Sequence, residues 1–194
     1  MCIQLPEPCD DDSEPGRLGF KNIAEIGKER IRRSAEKLKN ATADGGAASG
    51  DFGFKVLKLD RSHFRQWGAG ALDPTEPDLV AQMEEHADHV DPEATQEGIL
   101  YELLIKAGFA PTDRVDRREL ADKLVFSIAD GALLICLEDE LTSELIDAVA
   151  DLEPMQFICL DKGFNGNDQL KANAVQTFKS RSQGAETEMV FKVI

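Results

Sequence analysis

A few residues have types and spacings that could perform chemistry. Glu7 stands between two prolines, directly after an apolar segment, Met1 to Leu5, that is predicted to form a short strand. A carboxylate at the end of a strand in an open α/β sheet is placed to accept hydrogen bonds from the hydroxyls of a nucleotide ribose. An acid beside prolines is also typical of a solvated turn. The residues around Glu7 therefore allow both interpretations.

The basic stretch of the chain is a predicted helix that begins near Ile23. Its apolar stripe consists of Ile23, Ile26, Ile31, Ala35 and Leu38. The cations that could contact nucleic-acid phosphates are Lys28, Arg30, Arg32 and Arg33. The alternative is a solvated surface, because acids and cations three or four residues apart on a helix form ordinary pairs.

Two further polar groups could bind a metal ion. His86 and His89 share a helix face with Glu85, but no third strong ligand stands nearby, and a solvated acidic face is the alternative. In the loop DKGFNGND, Asp161 and Asp168 could hold a cation, although the spacing does not fit a calcium loop. The local interpretation is that Asn and Asp side chains bond backbone amides and start the helix that follows.

The remaining elements are predicted from periodicity and caps. FGFKVLKLD alternates like a strand, and Ile99, Leu100, Leu103 and Leu104 form a helix stripe that ends at Gly108. KLVFSIA and ALLICLE form a hairpin through Asp130-Gly131. The last predicted elements are, in order, a helix capped by Thr142, the strand MQFICLD, a helix capped by Asn167 or Asp168, and the strand EMVFKVI. This order predicts an α/β fold with a mixed sheet flanked by helices.

Composition narrows the class of protein. The 194 residues include 22 Lys plus Arg and 37 Asp plus Glu, a net charge of −15, which disfavours DNA or an anionic membrane against most of the surface. No apolar run is long enough to span a bilayer and no leader is evident, so we expect a cytoplasmic protein and no membrane partner. The four cysteines form no CxxC pair and are interpreted as plain buried or incidental thiols.

Common catalytic signatures are absent from the sequence. It contains no GxGxxG, GxxxxGK[ST], GxSxG or HExxH motif. The residues alone therefore name no general base, nucleophile, phosphate cradle or metal site.

Five segments, in order, resemble one family. IQLPEP, GFKNIAEIGKERIRR, GFKVLKLDRSHFRQW, EGILYELLIKAGF and LDKGFNGNDQLKANAVQTFK are similar to the C-terminal part of the modification subunit of type III restriction–modification systems. Members of that family are site-specific DNA methyltransferases that transfer a methyl group from S-adenosylmethionine to the exocyclic amine of adenine. The resemblance runs from residue 1 nearly to Ile194.

The resemblance implies a role for Glu7 and a limit on activity. In the family the acid of QLPE looks like the ribose ligand of S-adenosylmethionine, and Glu7 matches it. The family's DPPY and FxGxG motifs precede this point and are missing from the sequence. Because methyl transfer needs the flipped base held against the cofactor methyl, we expect the chain alone to be inactive and to bind the cofactor weakly.

The resemblance also implies an organisation. Residues 1–41 are expected to be the C-terminal remnant, a strand and a helix, of a Rossmann-like methyltransferase domain, residues 42–50 a linker, and residues 51–194 an α/β assembly domain. The expected partners are the modification and restriction subunits, a second copy of the chain, and DNA only through the intact enzyme. The alternatives are a free-standing acidic interaction protein that modulates a restriction complex, or a DNA mimic.

Overall fold

The computed structural model describes residues 2–43, 51–65, 90–183 and 188–194. It divides into two compact units, Met1–Lys58 (unit 1) and Leu59–Ile194 (unit 2). The predicted linker, residues 42–50, falls largely outside the described residues, so the domain bounds stay predictions. No helix in the described part of the chain has the length and apolar character needed to cross a membrane.

Unit 1 contains a short helix, α1 (Glu14–Arg17), and a long one, α2 (Ile23–Ala43). Helix α2 confirms the helix predicted from the apolar stripe. At its start the side chain of Asn22 accepts the Glu25 N–H at 3.0 Å, and the Glu25 carboxylate accepts the Lys21 N–H at 2.8 Å. The first bond satisfies an N–H donor that the first turn of a helix leaves unpaired, and the second joins Lys21, which precedes the helix, to that turn.

Two predicted strands are wrong: the apolar segment at the start of the chain and the alternating segment FGFKVLKLD. Residues 2–5 and residues 52–60 lie in no strand, and Ile3 and Leu59 are 84% and 104% exposed. Alternating apolar residues form a strand only when a neighbouring strand takes up their backbone hydrogen bonds and a packed layer covers one face. Neither segment has such a neighbour among the described residues.

Unit 2 is built on one five-stranded mixed sheet. Its strands lie in sequence order: β1 (Val115–Leu120), β2 (Lys123–Ile128), β3 (Leu133–Cys136), β4 (Gln156–Cys159) and β5 (Val190–Val193). The first three pair antiparallel, whereas β3, β4 and β5 pair parallel to one another. The predicted α/β class with a mixed sheet is confirmed.

Both hairpins turn through left-handed residues. The β2–β3 turn confirms the prediction, with Asp130 and Gly131 at φ of 58° and 99°. Strand β1 was not predicted, because VDRREL is an edge strand rich in charge and lacks an apolar alternation. It reaches β2 through Ala121 and Asp122, both at positive φ, in a turn without the glycine that usually marks one.

Helices cover both faces of this sheet. On one face, α3 (Gln96–Lys106) packs against β2, β3 and β4 and buries Ile99, Leu100, Leu103 and Leu104. On the other face lie α4 (Ser143–Ala150) and α5 (Asp168–Ser182). Their predicted caps, Thr142 and Asn167, accept the N–H groups of Leu145 and Leu170. Helix α4 ends at Ala150, and Leu152 just beyond it is 44% exposed.

Candidate functional site

A dense polar cluster surrounds Glu102 on α3. The Glu102 carboxylate accepts hydrogen bonds from the Ser62 hydroxyl at 2.6 Å and from the His63 backbone N–H at 2.7 Å. His63 Nδ1 lies 3.1 Å from the same carboxylate, and Lys106 Nζ lies 2.7 Å from it. We call these four residues, Ser62, His63, Glu102 and Lys106, the Glu102 clasp.

Residues 61–64 are held in place from a second side by residues 90–93. The Asp91 N–H donates to the His63 carbonyl at 2.8 Å, and Phe64 forms an isolated bridge with Val90. Arg61 forms ion pairs with Asp91 and Glu93, at 3.4 and 2.8 Å. The clasp and these contacts together join three pieces of unit 2: the segment at its beginning, the segment before α3, and α3 itself.

The surroundings of Glu102 favour the ionised form of its carboxylate. Burial disfavours the charged form and alone would raise the pKa of Glu102. Hydrogen bonds from Lys106, Ser62 and His63 outweigh that penalty and lower the pKa to about 2. A carboxylate already engaged by four donors is poorly suited to accept a proton from a substrate near neutral pH.

The clasp does not have the geometry of a nucleophilic triad. The Ser62 hydroxyl donates to Glu102 rather than to His63, so no base activates it. The imidazole of His63 packs with Nε2 against Gly98, where an added Cβ would overlap the ring. The arrangement therefore supports a positioning role, holding the first residues of unit 2 on α3.

The carboxyl ends of β3 and β4 are where open α/β sheets usually bind ligands. Here the two following loops contact each other: the Leu141 N–H donates to the Gly163 carbonyl at 2.8 Å, and a Cβ on Gly163 would lie 2.8 Å from Leu141 Cγ. Lys162 pairs with Asp139 and Lys171 with Asp161, both at 2.6 Å. The local role predicted for the loop DKGFNGND is confirmed at Asn167, whose side chain accepts the Leu170 N–H at the start of α5.

No metal centre is apparent in the part of the chain that the structure describes, where no three His, Cys, Asp or Glu side chains are grouped to hold an ion. The predicted ligands His86 and His89, with Glu85, lie outside the described residues.

A groove of about 540 Å³ runs between α4 and α5. Ile146 and Ala174 line it, together with polar side chains that include Arg181. Arg181 pairs with Asp151 at 2.7 Å. The guanidinium of Arg181, which lines this groove, is therefore already in an ion pair within the chain.

The residues predicted to bind the cofactor and DNA all lie in unit 1. The Glu7 side chain is exposed, and the Glu7 carbonyl accepts the Ile23 N–H at 3.0 Å, which places Glu7 at the start of α2. Lys28, Arg30, Arg32 and Arg33 lie along α2. Arg32 and Arg33 both pair with Glu29, at 3.6 and 2.8 Å. Their proposed contacts with cofactor and DNA stay predictions.

Two cysteines are confirmed as buried. Cys136 and Cys159 are register partners on β3 and β4 and are fully enclosed in the core. Burial raises the pKa of both thiols, so neither is poised to form a reactive thiolate.

The members of the Glu102 clasp were not singled out from the sequence. Ser62 and His63 lie 40 and 39 residues from Glu102, and no periodicity connects positions that far apart. The one available signal was that both segments, LDRSHF and EGILYELL, belong to the stretches that carry the family resemblance.

No protein-family model matches the chain, and no curated protein matches it significantly. The structure defines an α/β unit with a mixed sheet and a charged clasp, preceded by a smaller helical unit.

Proposed function

We propose that the chain is the C-terminal part of the modification subunit of a type III restriction–modification system, and that it serves subunit assembly. The observation that carries this proposal is the ordered set of five segments, from IQLPEP to LDKGFNGNDQLKANAVQTFK, that resemble the family. The contacts within unit 2 support it, because Ser62 and His63 of the third segment bond Glu102 of the fourth.

The chain alone is proposed to be inactive toward S-adenosylmethionine and adenine. It has neither DPPY nor FxGxG, so Glu7 could bind the cofactor ribose only when the preceding methyltransferase portion is present. Calorimetry of the isolated chain with S-adenosylmethionine should give no binding tighter than about 10 μM. Tighter binding would contradict the proposal. With the preceding portion joined to the chain, binding should appear, and Glu7→Gln should weaken it.

Assembly is assigned to unit 2, which has its own core and a surface rich in acids. An acidic module suits a protein partner, since protein surfaces, unlike DNA, can supply complementary cations. The chain should therefore co-purify with an intact modification or restriction subunit, or pair with a second copy. Leu104→Asp, which puts a charge at a fully buried position, is the control that should abolish binding. No association at micromolar concentration would overturn the assignment.

DNA contact is proposed for α2 only in the intact enzyme. Lys28 and Arg30 form no ion pair within the described residues, whereas Arg32 and Arg33 share Glu29. Replacing Lys28 and Arg30 by Gln in the intact subunit should weaken binding to DNA of every sequence. The slope of the logarithm of the binding constant against the logarithm of the salt concentration should become shallower by about one for each cation removed. Lys179→Gln on α5 is the matched control. An unchanged salt dependence of binding would show that α2 does not contact DNA.

The alternative of an acidic DNA mimic has less support. Its motive is the net charge of −15, but a mimic needs free carboxylates spaced like phosphates on one face. Asp139, Asp151 and Asp161 instead pair with lysine or arginine of the same chain. Competition between the chain and DNA for binding to a restriction subunit would support this alternative.

A further inference from the structure

The loop between β4 and α5 contains a dipeptide that is prone to chemical change. Of the five asparagines in the sequence, only Asn165 is followed by glycine. The backbone nitrogen that follows an asparagine can attack the side-chain carbonyl carbon, Cγ, and a glycine leaves that nitrogen unshielded because it has no Cβ. Both Asn165 and Gly166 are exposed, so water and base have access to them.

Asn165 and Gly166 are the central residues of a tight turn. Asn165 has φ of 49° and ψ of 38°, and Gly166 has φ of 70°. The turn is closed by the Asn167 N–H, which donates to the Phe164 carbonyl at 2.8 Å. Positive φ at both central residues defines a type I′ turn, for which Asn-Gly is the preferred sequence.

The peptide group between Asn165 and Gly166 has nothing to hold its orientation. Neither the Asn165 carbonyl nor the Gly166 N–H forms a hydrogen bond with any residue that the structure describes. Nothing lies within 4 Å of a Cβ added at Gly166. This one group can therefore flip while the bond from Asn167 to Phe164 stays closed. The flip gives a type II′ turn, whose first central residue has positive φ and ψ near about −120°.

The flip decides whether the Gly166 nitrogen can reach the side chain. At the native ψ of 38° the nitrogen points away from Asn165 Cβ. At the ψ of a type II′ turn the nitrogen lies on the same side as Cβ, within reach of Cγ. The exposed turn thus gains a reactive geometry by moving a single peptide group, without unfolding the core beside it.

We propose that Asn165–Gly166 is a site of spontaneous deamidation in the folded chain. The Gly166 nitrogen loses its proton to base and bonds to Asn165 Cγ, the bond from Cγ to Nδ2 breaks, and ammonia leaves with that proton. Water then opens the resulting cyclic imide at either carbonyl, which leaves aspartate or isoaspartate at position 165. Water is the only co-reactant, and the inference does not depend on the proposed function.

Deamidation removes a contact between the loops that follow β3 and β4. Asn165 Nδ2 donates to the Asp139 carbonyl at 3.3 Å, and the carboxylate that replaces the amide cannot donate. Isoaspartate also adds one carbon to the backbone of the turn, so the bond from the Asn167 N–H to the Phe164 carbonyl should weaken. The product therefore has one more negative charge and a looser loop at the carboxyl ends of these strands.

Storage of the full-length folded chain, followed by peptide mapping with mass spectrometry, tests the proposal. The mass at Asn165 should change by the gain of water and the loss of ammonia. This change should be at least about tenfold faster than at Asn173, whose following residue lies within α5. The rate should rise from mildly acidic to mildly alkaline buffer, because the attacking nitrogen must lose its proton. Labelling by a protein L-isoaspartate methyltransferase identifies the isoaspartate product.

Two variants test the chemistry. Gly166→Ala places a Cβ beside the attacking nitrogen and should slow the reaction by about tenfold or more. Gly108→Ala is the matched control: it also puts a side chain at positive φ with nothing within 4 Å, and it should leave the rate at Asn165 unchanged. Asn165→Gln, which would need a larger ring, should abolish the change at this position.

Hydrogen exchange tests the effect on the turn. In the deamidated chain the Asn167 amide should exchange about tenfold faster. The Ala132 amide, which donates to the Ala129 carbonyl in the turn at Asp130-Gly131, is the control and should be unchanged.

Three outcomes would overturn the inference. The first is an intact Asn165 in the folded chain under conditions in which the urea-unfolded chain deamidates there, since the fold would then block the flip. The second is an equal rate at Asn165 and Asn173, or in the Gly166→Ala variant and the wild type. The third is an unchanged Asn167 amide after deamidation, which would show that the turn is not loosened.

Discussion

The imidazole of His63 occupies the space that a Cβ on Gly98, in the first turn of α3, would need. Any side chain at position 98 would overlap the ring, so only glycine lets the segment approach the helix this closely. One turn further along α3, Glu102 binds the backbone N–H and the ring of His63. Together, these contacts hold the beginning of unit 2 on the face of α3 opposite the sheet core.

Gly98→Ala is expected to destabilise unit 2 by about 1–3 kcal/mol, because the new methyl group displaces His63. Without that neighbour the change would favour the helix by ~1 kcal/mol. Urea unfolding followed by circular dichroism measures the effect. Gly27→Ala on α2 is the matched control. Nothing lies within 4 Å of a Cβ added at this position, so helical content should rise. A Gly98→Ala protein as stable as the wild type would rule out the close contact.

Glu102→Gln should destabilise the protein by about 1–3 kcal/mol at neutral pH, since hydrogen bonds to a charged acceptor are lost. The pKa of Glu102 falls from an ordinary 4.5 to about 2 on folding. A depressed pKa stabilises the fold above the unfolded-state value, and that stabilisation disappears as pH falls through the folded value. The difference between variant and wild type should therefore shrink between pH 4.5 and pH 2.

Melting curves across this pH range provide the measurement. Glu97→Gln, an exposed position on the same helix, is the control and should change stability by no more than about 0.5 kcal/mol. If the Glu102→Gln difference were equal at both ends of the range, the charge on Glu102 would not be what stabilises the clasp.

Two serine-to-alanine substitutions should have opposite effects. The Ser127 hydroxyl on β2 is buried and has no hydrogen-bond partner among the residues that the structure describes, so Ser127→Ala should be neutral or stabilise by up to about 1 kcal/mol. Ser62→Ala removes the 2.6 Å bond to Glu102 and should destabilise by about 1–2 kcal/mol. Chemical denaturation of both variants under one condition tests the pair. Destabilisation of equal size would mean that Ser127 has an unseen partner.

Thiol alkylation should distinguish the cysteines. Cys2 is exposed, whereas Cys136 and Cys159 are buried with raised pKa values, so iodoacetamide should modify Cys2 in the folded chain and spare the other two. Mass spectrometry before and after unfolding in urea checks this, with all thiols reacting in the unfolded chain as the control. Native-state modification of Cys159 at the rate of Cys2 would contradict the enclosed core.

Much of unit 2 could be predicted because its signals are local. The stripe from Ile99 to Leu104, the Asp130-Gly131 turn and the caps at Thr142 and Asn167 each lie within one turn or one helix. Strand β1 was missed because its side chains are mostly charged, and its pairing with β2 depends on a neighbour rather than on its own composition.

The clasp could not be predicted, since Glu102 and Ser62 become neighbours only when α3 and residues 61–64 pack together. The strand predicted at residues 2–5 does not form for a related reason, because a strand also depends on residues elsewhere in the fold. Its apolar composition suits a strand, but no described residue supplies the partner.

The sequence by itself determined where α2, α4 and α5 begin, which stretches of unit 2 are apolar enough to be buried, and the absence of DPPY and FxGxG. Only the tertiary structure decided which strands pair beyond the β2–β3 hairpin, that the Glu102 carboxylate accepts several hydrogen bonds, and that no described side chain of unit 1 is buried. The reason is that capping and periodicity act over a few residues of chain. Burial, strand pairing and a carboxylate's set of donors instead depend on groups brought together across tens of residues.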